Sequence, residues 1–349
     1  MQQFWPSRGT RPATAEDFAA CRGMLRNASR TFHAASLLLP SRVRQPASAL
    51  YAFCRLADDA ADLAGDAHAA LDRMRRRLER AYAGRPLDHP VDRSFADVVD
   101  RFAIPRALPE ALFEGFEWDL AGRRYADLGE LNAYAARVAG TVGAMMAVLM
   151  GVRDGDVVAR ACDLGMAMQL SNIARDVGED ARAGRLYLPL EWLRDAGIDP
   201  DAWLACPVFS PPLGTVVGRL LVVADEFYRQ ADPGIACLPP ACRPGIQAAR
   251  HLYAEIGREV ERAGGDSVSR RAVVPARRKA LLLARASAAA LAGAGEGGGL
   301  RSVEESRFLV EAVAATTVPE AVRDDPVVWL LLLFERLERG QRVALKRQG

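Results

Sequence analysis

Two short stretches hold most of the residues able to do chemistry. In "YAFCRLADDAAD" (51–62), Tyr51, Arg55, Asp58 and Asp62 stand at i, i+4, i+7 and i+11, a single stripe of a helix, with Asp59 on its flank. In "QLSNIARDVGEDARAGRLYLP" (169–189), Gln169, Asn172, Asp176 and Asp180 fall at i, i+3, i+7 and i+11, with Glu179 beside Asp180. Like charges along one helix face repel one another. A lone DDxxD means little, because most such runs are solvated surface. Two acid stripes on two otherwise apolar helices mean more, because facing each other they enclose a pocket of carboxylates that calls for cations. Hard oxygen donors of this kind suit Mg²⁺ or Mn²⁺, and Mg²⁺ keeps waters and bridges carboxylates to substrate phosphates. Arg55, Arg175, Arg182 and Arg185 are then placed to bind diphosphate oxygens through their planar forks. The chemistry implied is ionisation of an allylic diphosphate, with apolar helix faces sheltering the carbocation from water.

Such stripes need long helices, and the apolar spacing supplies them. Apolar residues recur at i, i+3, i+4 over segments that include 15–38, 47–64, 108–120, 128–150, 157–178, 212–231 and 242–263, whereas alternating β-branched runs are scarce. The spacing predicts an all-α fold. Breakers such as "LLLPSRVRQP", "YLPLEWLRDAGIDP" and "CLPPACRP" separate the segments, and none is long enough for an interdomain linker. One domain over 15–292 follows, then an Ala/Gly-rich stretch and a C-terminal helical extension over 300–349, packed on or beside it. The small residues Ala139, Gly140, Gly143 and Ala144 leave room for a deep cavity.

Composition removes other classes. The 349 residues carry 46 Lys and Arg against 44 Asp and Glu, a net charge of +2, so no basic field points to nucleic acid. Six scattered cysteines without CxxC pairs suit a reduced compartment, and the N-terminus lacks the apolar core of a signal peptide, so a cytoplasmic location is expected. The longest uncharged stretch, 138–152, is too short for a membrane span. A formal GxGxxG at Gly293, Gly295 and Gly298 follows an Ala-rich helical segment rather than a strand, which argues against dinucleotide binding. The four histidines show no metal-ligand spacing.

"SRTFHAASLLLP" (29–40), "YAFCRLADDAAD", "VAGTVG" (138–143) and "NIARDVGEDARAGRLYLP" (172–189), in this order, resemble the signature of the squalene/phytoene synthase family. The resemblance covers about 29–279 and is greatest to bacterial members serving carotenoid formation. It implies a single-domain, all-α prenyl synthase fold around a central cavity. It also implies that two geranylgeranyl diphosphates are joined head to head, through a cyclopropylcarbinyl diphosphate, to phytoene. By position, Asp58, Asp59 and Asp62 would hold Mg²⁺ in the first motif and Asn172, Asp176 and Asp180 in the second. Arg30, Thr31, Tyr51, Arg55, Arg175, Tyr253 and Arg271 match family positions around the diphosphates. "YAARVAGTVG" has Tyr134 but carries Ala136 where the family has a second tyrosine, which removes an aromatic from that position.

Three alternatives stay open at this point. A terpene cyclase pairs similar motifs on one diphosphate, and a squalene or dehydrosqualene synthase uses farnesyl diphosphate, the former with NADPH. A non-catalytic assembly factor would be expected to lose pocket acids, and both sets are intact. The lack of a strand-led dinucleotide fingerprint predicts no use of NADPH. A water-insoluble product predicts transient, peripheral contact with a membrane.

Overall fold

The computed structural model describes residues 13–61, 67–289 and 303–316. Within them the chain forms α1 (Ala15–Ala28), α2 (Arg30–Ser36), α3 (Ser41–Ala61), α4 (Ala67–Tyr82), α5 (Pro90–Arg101), α6 (Ala107–Leu120), α7 (Leu128–Ala135), α8 (Thr141–Leu149) and α9 (Gly155–Arg182). There follow α10 (Leu190–Asp195), α11 (Pro200–Ala205), α12 (Pro211–Cys237), α13 (Arg243–Arg262), α14 (Ala276–Ala289) and α15 (Arg307–Ala314). A π-helical turn, Ala136–Gly140, joins α7 to α8, and no strand occurs among the described residues. The fold is all-α, as the apolar spacing predicts.

Local chemistry sets the boundaries, and in places moves them from where periodicity put them. The run 15–38 is two helices, because Ser29 is extended and its Oγ accepts the Phe32 N–H at 3.2 Å, so the serine caps a new helix. The breaker before residue 47 already contains the first turns of α3, with Pro46 inside the helix. Pro46 forfeits one backbone hydrogen bond, but it is buried, and packing outweighs the loss. Likewise α12 runs through Pro233 to Cys237, and "YLPLEWLRDAGIDP" contains α10 and part of the approach to α11. The long α9 starts on Asp154, whose carboxylate accepts the N–H groups of Asp156 and Val157, and stops before Gly184 at φ 77°.

Two apolar clusters hold the helices. One joins α9 to α12 through residues such as Leu170, Ile173, Leu220 and Tyr228. The other joins α3, α5, α6 and α8, where Phe53 stacks on Phe95 with centroids 3.8 Å apart beside Phe113. Burying each large side chain of this kind contributes about 1.5–3 kcal/mol. Where α8 and the π turn meet α9, backbones touch: a Cβ on Gly143 would overlap the Ala161 carbonyl, and one on Gly165 the Ala139 carbonyl. Only glycine allows that approach. In α15, Leu309 and Val313 are fully buried, and the helix packs on α6, α8 and α9. The parts of the 300–349 extension outside 303–316 and the GxGxxG glycines lie outside the described residues, as does Asp62. All six cysteines are free. No described helix is long and apolar enough to cross a membrane.

Candidate active site

The two stripes end on one cavity. It has a volume of about 460 Å³ and brings Tyr51, Arg55 and Asp58 of α3 together with Gln169 and Asn172 of α9 and Tyr253 of α13. Asp59, Arg175, Asp176, Asp180, Thr31 and Arg271 lie outside its lining; Asp176 and Asp180 continue the α9 stripe one and two turns past Asn172. Thr31 is half-buried in α2, which Arg30 opens. Of the small residues read as room for a cavity, Ala139 and Gly143 line it, whereas Ala144 is fully buried in the core and Gly140 packs near Leu309.

On α3 the acids are gripped from their own helix. Arg55 donates from Nη1 to Asp58 Oδ2 at 3.1 Å and places Nη2 2.5 Å from Asp59 Oδ1. On α9, Asp176 is held twice. Arg175 donates to it through Nε at 2.7 Å and Nη2 at 2.5 Å, and Arg271 through Nε at 2.8 Å and Nη2 at 3.2 Å. Arg271 Nε also lies 3.3 Å from Glu179.

The loop after α13 delivers Arg271. It leaves the helix through Gly264 and Gly265, both at positive φ, and Asp266 Oδ1 accepts the N–H of Ser269 at 2.9 Å. Gly178 lets it close on α9, since a Cβ there would sit 2.6 Å from the Val268 Cα and carbonyl oxygen. Arg182, expected on diphosphate, instead donates to the Val268 carbonyl at 3.2 Å and fixes this loop.

Aromatic rings and one further acid complete the walls. Phe32 sits between Tyr51 and Tyr253, with centroids 6.0 and 4.9 Å away. Asp119 of α6, also in the lining, accepts hydrogen bonds from Tyr134 at 2.9 Å and Tyr187 at 2.7 Å. The rings of Tyr125, Tyr134 and Tyr187 pack on one another. Sequence reading gave no role to Asp119 or Phe32, for neither belongs to an acid stripe. Ala136 is fully buried in the π turn, so no aromatic stands at that position.

Charge at the acid end is unevenly balanced. Burial raises the Asp176 carboxyl, but hydrogen bonds from Arg175 and Arg271 outweigh it and leave its pKa below the ordinary value. Asp180 has the opposite fate. Burial, with repulsion from Asp176, Asp119 and Glu179 outweighing Arg185, pushes it up to about 7. Burial also raises the hydroxyls of Tyr51, Tyr134, Tyr187 and Tyr253, which therefore stay protonated near neutrality.

Among the described residues, no three acids, imidazoles or thiols converge into a ready-made metal cage. The donor set nonetheless fits a divalent cation that arrives with a phosphate ligand. Mg²⁺ rarely uses an all-protein cage, and the burial and acid repulsion that raise Asp180 are what a cation relieves.

The comparisons with known proteins agree with this geometry. The squalene/phytoene synthase profile matches residues 25–278. A phytoene synthase of Cereibacter sphaeroides is 50% identical over 347 residues, covering 95% of this chain and 97% of that protein. One of Rhodobacter capsulatus is 55% identical over 279 residues, 79% and 82% of the two chains. Among solved structures, a dehydrosqualene synthase in complex with a ligand superposes with a TM-score of 0.73 at 30% identity, over 79% of this chain and 97% of that one. With its two acid helices, its shared cavity and these matches, the chain belongs to the squalene/phytoene synthase family.

Proposed function

We infer that the chain is a prenyltransferase of the phytoene synthase type, which joins two geranylgeranyl diphosphates head to head to phytoene. The observation that carries this reading is a cavity with Arg55, Asp58 and Asn172 at one end and mostly apolar walls along the rest, in a chain 50% identical to a phytoene synthase. A bound divalent cation, Mg²⁺ or Mn²⁺, would supply charge neutralisation of the leaving diphosphate. Asp58, Asp59 and Asp62 on one side, and Asn172, Asp176 and Asp180 on the other, are its proposed holders.

Arg55, Arg175 and Arg271 each hold an acid in the free protein, and we assign them the diphosphates when substrate arrives, exchanging carboxylate for phosphate oxygens. We assign Arg30, Thr31, Tyr51 and Tyr253 to the same diphosphates. Breaking the C1–O bond of the first substrate leaves an allylic cation that the second substrate's double bond attacks; loss of a proton closes the cyclopropyl ring. Departure of the second diphosphate gives a cation that rearranges and loses another proton, so no hydride donor and no NADPH is needed. We assign stabilisation of such a cation to the π faces of Phe32, Tyr51 and Tyr253, which cluster on the cavity wall. Tyr51 is held as a neutral phenol, so we assign the proton to the released diphosphate.

The product is a hydrocarbon, and we place the protein in the cytoplasm with transient peripheral membrane contact. Support comes from residues 270–289, where Arg270, Arg271, Arg277, Arg278, Lys279 and Arg285 occur without an acid, and Val273 and Leu281 are exposed. Purified protein is incubated with Mg²⁺ and geranylgeranyl or farnesyl diphosphate, with and without NADPH, and the lipid extract analysed. Phytoene from the C20 substrate without NADPH is expected. A product saturated at the central bond only with NADPH, a preferred C30 polyene, or a cyclic single-substrate product would overturn the reading.

A further inference from the structure

Four charged side chains line the cavity, and three of them, Arg55, Asp58 and Asp119, stand at its acid end. The fourth is Arg160, far along α9. At about 1.5 Å of rise per residue, Arg160 lies about 18 Å from Asn172 along the helix, and the α9 lining stops one turn further on at Val157. A guanidinium in the apolar depth of a lipid-binding cavity needs a reason.

Its surroundings are built for it. Arg160 is 4% exposed and Asp163, one turn on, is fully buried, with Arg160 Nε 3.1 Å from Asp163 Oδ2. Gly234 of α12 makes room: a Cβ there would overlap the Cβ of Arg160 and come within 2.8 Å of its Cγ. Ala231, Ile235 and Leu238 of α12 share the cavity wall at this point. The base of the arginine is therefore clamped between two long helices, and its head is tied to a carboxylate away from water. Swinging it aside would break a buried ion pair, which is far costlier than flexing an aliphatic side chain.

We propose that the Arg160–Asp163 pair is the floor of the prenyl tunnel and sets the longest chain the protein accepts. This rests on the reading of the cavity as a prenyl diphosphate site. A stretched chain of four isoprene units is comparable in length to the run from Asn172 to Arg160. Its terminal methyls would meet a guanidinium that neither yields nor welcomes apolar contact, and a fifth unit has nowhere to go. Burial raises the Asp163 carboxyl to about 7 against the pull of Arg160, so with the arginine removed Asp163 is able to take up a proton rather than remain an unpaired charge. Replacing the pair is thus compatible with folding.

The test compares Arg160→Ala, Arg160→Met and the double variant Arg160→Ala/Asp163→Asn with wild type on C15, C20 and C25 all-trans prenyl diphosphates, after circular dichroism and thermal melts establish folding. Arg160→Ala and the double variant should raise the ratio of kcat/KM for the C25 over the C20 substrate at least tenfold, with longer hydrocarbons seen by mass spectrometry. Arg160→Met, flexible and unpaired, should fall between. A ratio unchanged in folded, active variants would overturn the floor. Wild type inactive on every prenyl diphosphate would instead overturn the function on which it rests.

Discussion

Arg271 lies on Asp176 across 95 residues of sequence, its Nε 2.8 Å and its Nη2 3.2 Å from the two carboxylate oxygens. The contact ties the loop after α13 to the acid stripe of α9, and it holds the guanidinium at the end of the site where diphosphate is proposed to bind. Lysine would keep the charge and lose the fork. Arg271→Lys should lower kcat/KM by about ten- to a hundredfold, the worth of a charge-assisted hydrogen bond of about 1.5–3 kcal/mol. Steady-state kinetics at low substrate check this, and a lysine variant equal to wild type would reduce Arg271 to a charge balance for Asp176.

Asp119 is positioned by two tyrosines rather than by a long loop. Tyr134→Phe and Tyr187→Phe each delete one hydrogen bond to a carboxylate that is also near Asp180. Each should cost about 1–3 kcal/mol of unfolding free energy and reduce turnover. Urea melts and rate assays on the same preparations would show it. Variants as stable as wild type would mean that water replaces the phenols without loss.

Asp180 gives the free protein a pH signature. Its carboxyl is raised from 3.8 to about 7, so between these values the folded chain keeps a proton that the unfolded chain has lost. Stability from this group is present below about 4 and is lost as pH rises towards 7. In chelator, the melting temperature should fall from pH 5 to pH 8, and Mg²⁺ should restore more of it at pH 8 than at pH 5. Asp180→Asn should melt higher than wild type at pH 8 in chelator and show a flatter profile. Asp163 titrates in the same direction, so part of the slope should survive in that variant. A profile rising with pH, or Mg²⁺ without effect at pH 8, would contradict the crowding of acids.

Much of this site was legible in the chain because helices repeat. The 3.6-residue period alone put Tyr51, Arg55 and Asp58 on one face and Gln169, Asn172 and Asp176 on another, and long apolar helices had to carry them. Period says nothing of a lone side chain. Asp119 sits in the last turn of α6 in a chain with 44 acidic residues, and only the approach of Tyr134 and Tyr187 in space distinguishes it. Arg160 likewise stands alone on an apolar helix, and only Gly234 and Asp163 around it in space distinguish it. Helix boundaries failed where capping or burial overruled periodicity, at Ser29 and at Pro46.

The basic stretch 270–289 makes membrane contact measurable. Co-sedimentation should retain more protein on vesicles containing phosphatidylglycerol than on phosphatidylcholine alone, with the difference lost in high salt. Leu281→Glu with Arg285→Glu should abolish it, whereas Val222→Glu, at an exposed position of α12, should not. Equal binding to both lipids, or a variant that binds as well as wild type, would place the contact elsewhere.

The two acid helices acting on one reacting diphosphate are best tested by a double-mutant cycle. Asp58→Asn and Asp176→Asn are made singly and together, folding is verified by circular dichroism, and kcat/KM is measured with geranylgeranyl diphosphate at saturating Mg²⁺. Groups that serve a single step lose their effect together, so each single variant should fall by orders of magnitude and the double variant should be little worse than either. Losses that simply multiply in the double variant, or a single variant at near-normal rate, would show that the α3 and α9 acids do not share one site.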